Sequence, residues 1–182
     1  MANIGFAVQA NELPDAQDFS PVPAGTYTAM IVNSTLKATN KTKEIMPSGM
    51  EYEEFLKSNP KAPGYLALEI DILDGGAAGR KLFHNLNLIN DNDKAVEIAF
   101  GQLKQILTAF GMGSWSGKSE ELHNKRMSIT VAVEDGKPYT KNGVQVAGKP
   151  QNNIKKFAPA GAASTAAEAP AAAQGGPAWK RN

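Results

Sequence analysis

A chain of 182 residues with nineteen Lys and Arg against eighteen Asp and Glu has room for one domain plus an extension, and its formal charge of +1 singles out neither an acidic nor a basic partner. It contains no cysteine, which excludes disulfide staples, thiolate zinc sites and cysteine nucleophiles, and fits a reducing cytoplasm. No basic segment followed by an apolar run opens it, and no apolar stretch reaches the roughly 18 residues of a bilayer span, so neither a signal peptide nor a membrane partner is expected.

The first stretch is polar and acidic: Glu12, Asp15 and Asp18 all precede the first cation, Lys37. Gly25 to Ala38, rich in Thr, Val, Ile and Tyr, reads as a long strand. Residues 39–63 form a connection carrying Lys41, Lys43, Lys57 and Lys61, with one helical turn expected at Tyr52–Leu56. In the second strand, 65–72, Leu66, Leu68, Ile70 and Ile72 alternate with Ala67, Glu69 and Asp71, so one set faces a core and the other solvent. A glycine turn, 74–79, leads into a third strand, 80–88. There Leu82, Leu86 and Leu88 share one face, and Lys81, Phe83, Asn85 and Asn87 the other. The two strands are expected to pair as an antiparallel hairpin.

Val96, Ala99, Phe100, Leu103, Ile106, Leu107 and Phe110 then recur at three- and four-residue spacing, the stripe of an amphipathic helix. Asn92 or Asp93 is suited to cap its start, and Gly111 to end it in a left-handed conformation. Gly101 inside it costs about 1 kcal/mol relative to Ala, which predicts close packing there. Residues 112–125 are irregular, with a short helix at Ser119–His123. Arg126 to Glu134 is the fourth strand, with Met127, Ile129, Val131 and Val133 inward. Asn142-Gly143 is a strong two-residue turn signal for a protruding hairpin, and a last strand, 153–158, carries Ile154 and Phe157. From Gly136 to Ala167 there is no acidic residue, while Lys137, Lys141, Lys149, Lys155 and Lys156 all fall there, a local excess that attracts phosphate. Residues 159–182, mostly Ala, Pro and Gly, offer too little bulky apolar surface to offset ordering and are expected to be a disordered tail.

The expected fold is all-β with one helix: a five-stranded OB-type β-barrel over 1–158, its helix between strands 3 and 4, followed by the flexible tail. Such barrels bind single strands or oligosaccharides on strands 2–3 and on the loops between strands 1 and 2 and strands 4 and 5. Both loops are long and lysine-bearing here. A single-stranded nucleic acid needs flexible cations along a groove and flat side chains on which bases stack. The third strand offers Arg80, Lys81, Phe83 and Asn85, the first loop Lys41 and Lys43, the second Lys137, Tyr139, Lys141 and Lys149, and Tyr65 and Lys155 extend the set. Phe83, Tyr139 and Tyr65 are the candidate stacking platforms; Phe100, Phe110 and Phe157 are assigned to the core.

No catalytic constellation stands out. His84 and His123, the two histidines, lack the spacing of a metal pair and an evident nucleophile partner. The carboxylate pairs Glu53/Glu54, Glu69/Asp71 and Glu120/Glu121 suit a solvated surface, and Asp91 and Asp93 suit helix capping. The chain is read as a non-enzyme without cofactor or metal.

Pro-x-Gly-x-Tyr at 23–27, Asp71-Ile72-Leu73-Asp74-Gly75, Leu86-Asn87-Leu88, Ala109-Phe110-Gly111 and Asn-x-Ile-x-x-Phe at 152–157 resemble a phage-encoded family of small OB-fold single-stranded-DNA-binding proteins, often catalogued as a phage domain of unknown function. The resemblance covers about residues 19–158. It implies a part in phage DNA replication or recombination, in the cytoplasm of a bacterial host. The expected partners are single-stranded DNA, a phage or host replication or recombination protein reached through Trp179 of the tail, and a second copy of the chain. Single-strand binders of bacteria usually end in an acidic recruiting tip, whereas this chain ends Trp179-Lys180-Arg181-Asn182, so that recruitment mechanism does not carry over. A protein-interaction or virion-structural module on the same barrel and a nucleic-acid-processing enzyme are the competing readings.

Overall fold

A computed structural model of the chain describes residues 20–136, 138–141 and 144–161. Strand β1 (Gly25–Ala38) is followed by two short helices, α1 (Asn40–Ile45) and α2 (Tyr52–Ser58). Then come β2 (Gly64–Ile72), β3 (Lys81–Ile89), α3 (Asp93–Ala109), β4 (Arg126–Glu134), the hairpin strands β5 (Tyr139–Lys141) and β6 (Val144–Val146), and β7 (Gln151–Pro159). The five long strands form one antiparallel sheet in the order β3-β2-β1-β4-β7, and β5 and β6 pair apart from it. The expected class is therefore present: a mostly β sheet of five strands with a helix between the third and fourth.

Strand β1 is long because it serves two partners. Residues 29–38 pair with β2 and residues 25–30 with β4. A bulge between Ile31 and Asn33 separates the inward Ile31 from the outward row that resumes at Asn33. Alternation puts Ala29, Ile31, Leu66, Leu68, Ile70, Leu82, Leu86, Met127, Ile129, Val131, Ile154 and Phe157 into one core against Ala99, Leu103 and Ile106 of α3.

Strand pairing does not close the barrel, the main departure from expectation. Strands β3 and β7 have no ladder between them, and α3 packs against both. Its side chains supply what a strand would have: the Gln105 carboxamide accepts the Phe157 N–H at 3.1 Å, and His84 Nε2 donates to Gln102 Oε1 at 3.3 Å. The helix begins where Asn92 Oδ1 accepts the N–H groups of Lys94 and Ala95. It ends where the N–H of Gly111, at φ 67°, reaches Thr108 O and that of Met112 reaches Leu107 O.

Local expectations are corrected at several points. Phe100 is 52% exposed, because it lies at the margin of the helix stripe, and Gly101 faces open space instead of a packed neighbour. Val133 is 41% exposed: β4 continues past the core there, after its register against β7 shifts between Thr130 and Val131. Asp91 does not cap α3 but pairs with Lys41. The helical turn expected at Tyr52–Leu56 is present as α2, and α1 adds a second helix to the connection. Tyr52 and Phe55 of α2 pack with Ala38 and Ala62 in a small core of their own. The tail beyond Gly161 lies outside the described residues.

Candidate nucleic-acid interface

The outer face of β2 and β3 follows from period-two alternation. Tyr65, Ala67, Glu69 and Asp71 are half-buried on β2, and Lys81, Phe83 and Asn85 are exposed on β3. The hairpin register sets Asp71 opposite Lys81, Glu69 opposite Phe83, and Ala67 opposite Asn85. On the other side of β2, Asn33 stands opposite Glu69, Thr35 opposite Ala67, and Lys37 opposite Tyr65. Three sequence-predicted site residues of β3, with Tyr65 toward the far end of β2, therefore share one surface. Phe83 is 69% exposed, a large apolar ring left in water at the middle of a strand.

The cation beside it is not free. Lys81 Nζ lies 2.9 Å from Glu69 Oε2 and 3.9 Å from Asp71 Oδ1. Asn33 Nδ2 donates to the other Glu69 oxygen at 3.3 Å. The hydrogen bond from Lys81, then that from Asn33, holds the Glu69 carboxyl below its ordinary range, and the same contact with Glu69 raises the Lys81 ammonium. Asp71 Oδ1 is shielded from solvent and accepts no hydrogen bond. One ammonium thus serves two carboxylates, and a phosphate approaching Lys81 competes with both.

The remaining candidates divide. Lys41 Nζ pairs with Asp91 at 3.1 Å, both largely exposed, a contact of small energetic weight. Lys155 is held by Glu134, whose carboxyl that hydrogen bond keeps below its ordinary range. The Arg80 guanidinium donates to the Ser20 carbonyl and so ties down the chain before β1. Lys43 and Lys149 are exposed and form no salt bridge among the described residues. The hairpin from which Lys149 returns is pinched at its base, where a Cβ on Gly136 would stand 2.3 Å from the Lys149 carbonyl oxygen. Lys137 lies outside the described residues, as do the side chains of Tyr139 and Lys141.

Two features escaped the sequence reading. Asn33, Thr35 and Lys37 of β1 border the same surface; the β1 bulge shifts alternation by one residue, which hid them. His123 has a hydroxyl partner after all, Ser34 Oγ at 2.7 Å from Nε2. This bond, with the Asn124 N–H donating to Ile31 O, fastens the segment before β4 onto β1.

Among the described residues no three acidic, His or Cys side chains group as metal ligands, and no helix is long and apolar enough to cross a membrane. No curated protein matches the chain. A family model does match, over residues 51–171, which spans α2 through β7 and most of the sheet. The chain belongs to that family, described as a protein of unknown function (DUF669).

Proposed function

We propose that this protein is a non-catalytic single-stranded-DNA-binding protein. Bases stack on Phe83 at the outer face of β2 and β3, and the phosphates run toward the lysines of the two flanking loops. The observation that carries this reading is Phe83, exposed between Lys81 and Asn85 where packing gives no reason for an aromatic ring. Stacking tolerates any base, so binding is sequence-independent. Asn85 and, on β1, Asn33 and Thr35 offer neutral donors and acceptors to sugar and base edges. The resemblance noted above supports a role in phage DNA replication or recombination within a bacterial cytoplasm.

A titration of labelled single-stranded oligonucleotides at rising salt tests it. Affinity that falls log-linearly with salt and varies little with sequence supports the reading. Absence of binding at low salt sinks it. In that case the second reading stands, a protein-interaction module, which the capture of Lys81, Lys41 and Lys155 by carboxylates favours.

A further inference from the structure

The outward face of α3 carries features that nothing within the described chain uses. Ile98 and Phe100 are 55% and 52% exposed. Gly101 lies between their directions on the helix, and a Cβ there would meet nothing within 4 Å, so no internal packing requires a glycine. Glu97 and Lys104 project from the same side, both exposed, and neither forms a salt bridge among the described residues.

We propose that this face binds the same face of a second copy, the two α3 helices running antiparallel about a two-fold axis that passes between Phe100 and Gly101. In that arrangement Glu97 of each copy stands opposite Lys104 of the other, so two ion pairs form at once. Lys94 falls opposite Leu107, and no like charges meet. Parallel pairing would instead set Glu97 against Glu97 and Lys104 against Lys104. The face is thus complementary to itself in the antiparallel sense, as a two-fold interface requires. Gly101 lets the backbones approach to the short end of the usual separation of about 8–10 Å. The two Phe100 rings meet along one margin of the contact and the two Ile98 side chains along the other. One helix per copy buries less than the roughly 1,200 Å² of a stable interface, so the dimer is weak and forms at high micromolar concentration. This pairing does not depend on whether the β2–β3 face binds DNA.

Sedimentation equilibrium of the full chain, taken into the high micromolar range at low salt, tests the proposal. The expected result is a monomer–dimer equilibrium weakened by salt. Glu97→Lys and Lys104→Glu should each raise the dimer dissociation constant about tenfold, and the double reversal should restore it. Phe100→Ala should weaken the dimer as well, while circular dichroism of every variant stays that of the parent. A chain that is monomeric throughout, or a dimer indifferent to the charge reversals, overturns the proposal.

Discussion

His84 on β3 and Phe157 on β7 meet edge to face across the gap in the sheet, with ring centroids 5.3 Å apart and planes at 69°. The strands are not paired there, so these rings, together with Gln102 and Gln105 of α3, hold the two free edges near each other. An aromatic contact of this geometry is worth about 0.5–1.5 kcal/mol beyond the area it buries. Its place makes the seam sensitive to anything that changes the imidazole.

Protonation is such a change. Burial pushes the His84 imidazole below its ordinary value of 6.5, and the hydrogen bond to Gln102 opposes this only in part. Between the folded value and 6.5 the unfolded chain binds the proton more readily, so stability rises with pH in that window. The contribution is complete above about 6.5 and lost as pH falls through the folded value. Melting temperature should therefore decline as the pH falls below about 6.5. His84→Gln, which keeps a partner for Gln102, should flatten that slope. Glu69, Glu121 and Glu134, each held below 4.5 by hydrogen bonds, add a separate loss only under more acid conditions.

Phe83→Ala separates packing from binding. With 69% of the residue in water, its removal should change unfolding free energy by no more than about 0.5 kcal/mol. Loss of one stacking platform should weaken binding of a single strand by about 1–3 kcal/mol. Chemical denaturation and an oligonucleotide titration on the same preparation give both numbers. An unfolded variant would place the ring in the core, and unchanged affinity would move the DNA elsewhere.

The Glu69–Lys81 contact yields a prediction of unusual sign. Glu69 detains the ammonium that a phosphate needs and itself repels the phosphate. Glu69→Gln should therefore tighten single-strand binding, by no more than a few-fold because the pair is exposed and screened. Lys81→Ala should weaken it by a similar factor and reduce its salt dependence. If instead both changes abolish binding of a protein partner and leave oligonucleotides untouched, the pair belongs to a protein interface.

The strands were legible from their length, composition and alternation: β1 and β4 match the bounds read from the sequence, although the β1 bulge breaks its period. Asn92 and Gly111 were legible as helix ends because capping is local chemistry. Closure was not, since whether β3 meets β7 depends on how α3 fills the space between them. Phe100 was misplaced because a stripe defined by spacing has no sharp margin. On the candidate face the outward direction of Lys81 and Phe83 was readable, but the partner of Lys81 was not. That required the register of β3 against β2, and one residue of slip would have replaced Asp71 and Glu69 by the inward Ile70 and Ile72. The helices α1 and α2 are too short for propensity to decide, and contacts distant in sequence hold them.

Those contacts converge on one glycine. The Tyr52 hydroxyl donates to Ala62 O at 2.5 Å and the Thr42 hydroxyl to Pro63 O at 2.6 Å, which moors both helices to the start of β2. A Cβ on Gly64 would stand 2.2 Å from the Tyr52 hydroxyl oxygen, so Gly64→Ala must push the ring out of its place. The cost should be about 1–3 kcal/mol, as for other overpacked sites. Tyr52→Phe, which removes only the bond to Ala62, should cost about 1 kcal/mol. Hydrogen exchange distinguishes the two: Gly64→Ala should strip protection from α1 and α2 while the β2–β3 ladder keeps its own. Because Lys41, Lys43 and Lys57 ride on these helices, the same variant should lose the part of oligonucleotide affinity that responds to salt. The part that depends on Phe83 should remain. Protection lost evenly across the sheet would show that the helices and the sheet unfold as one unit.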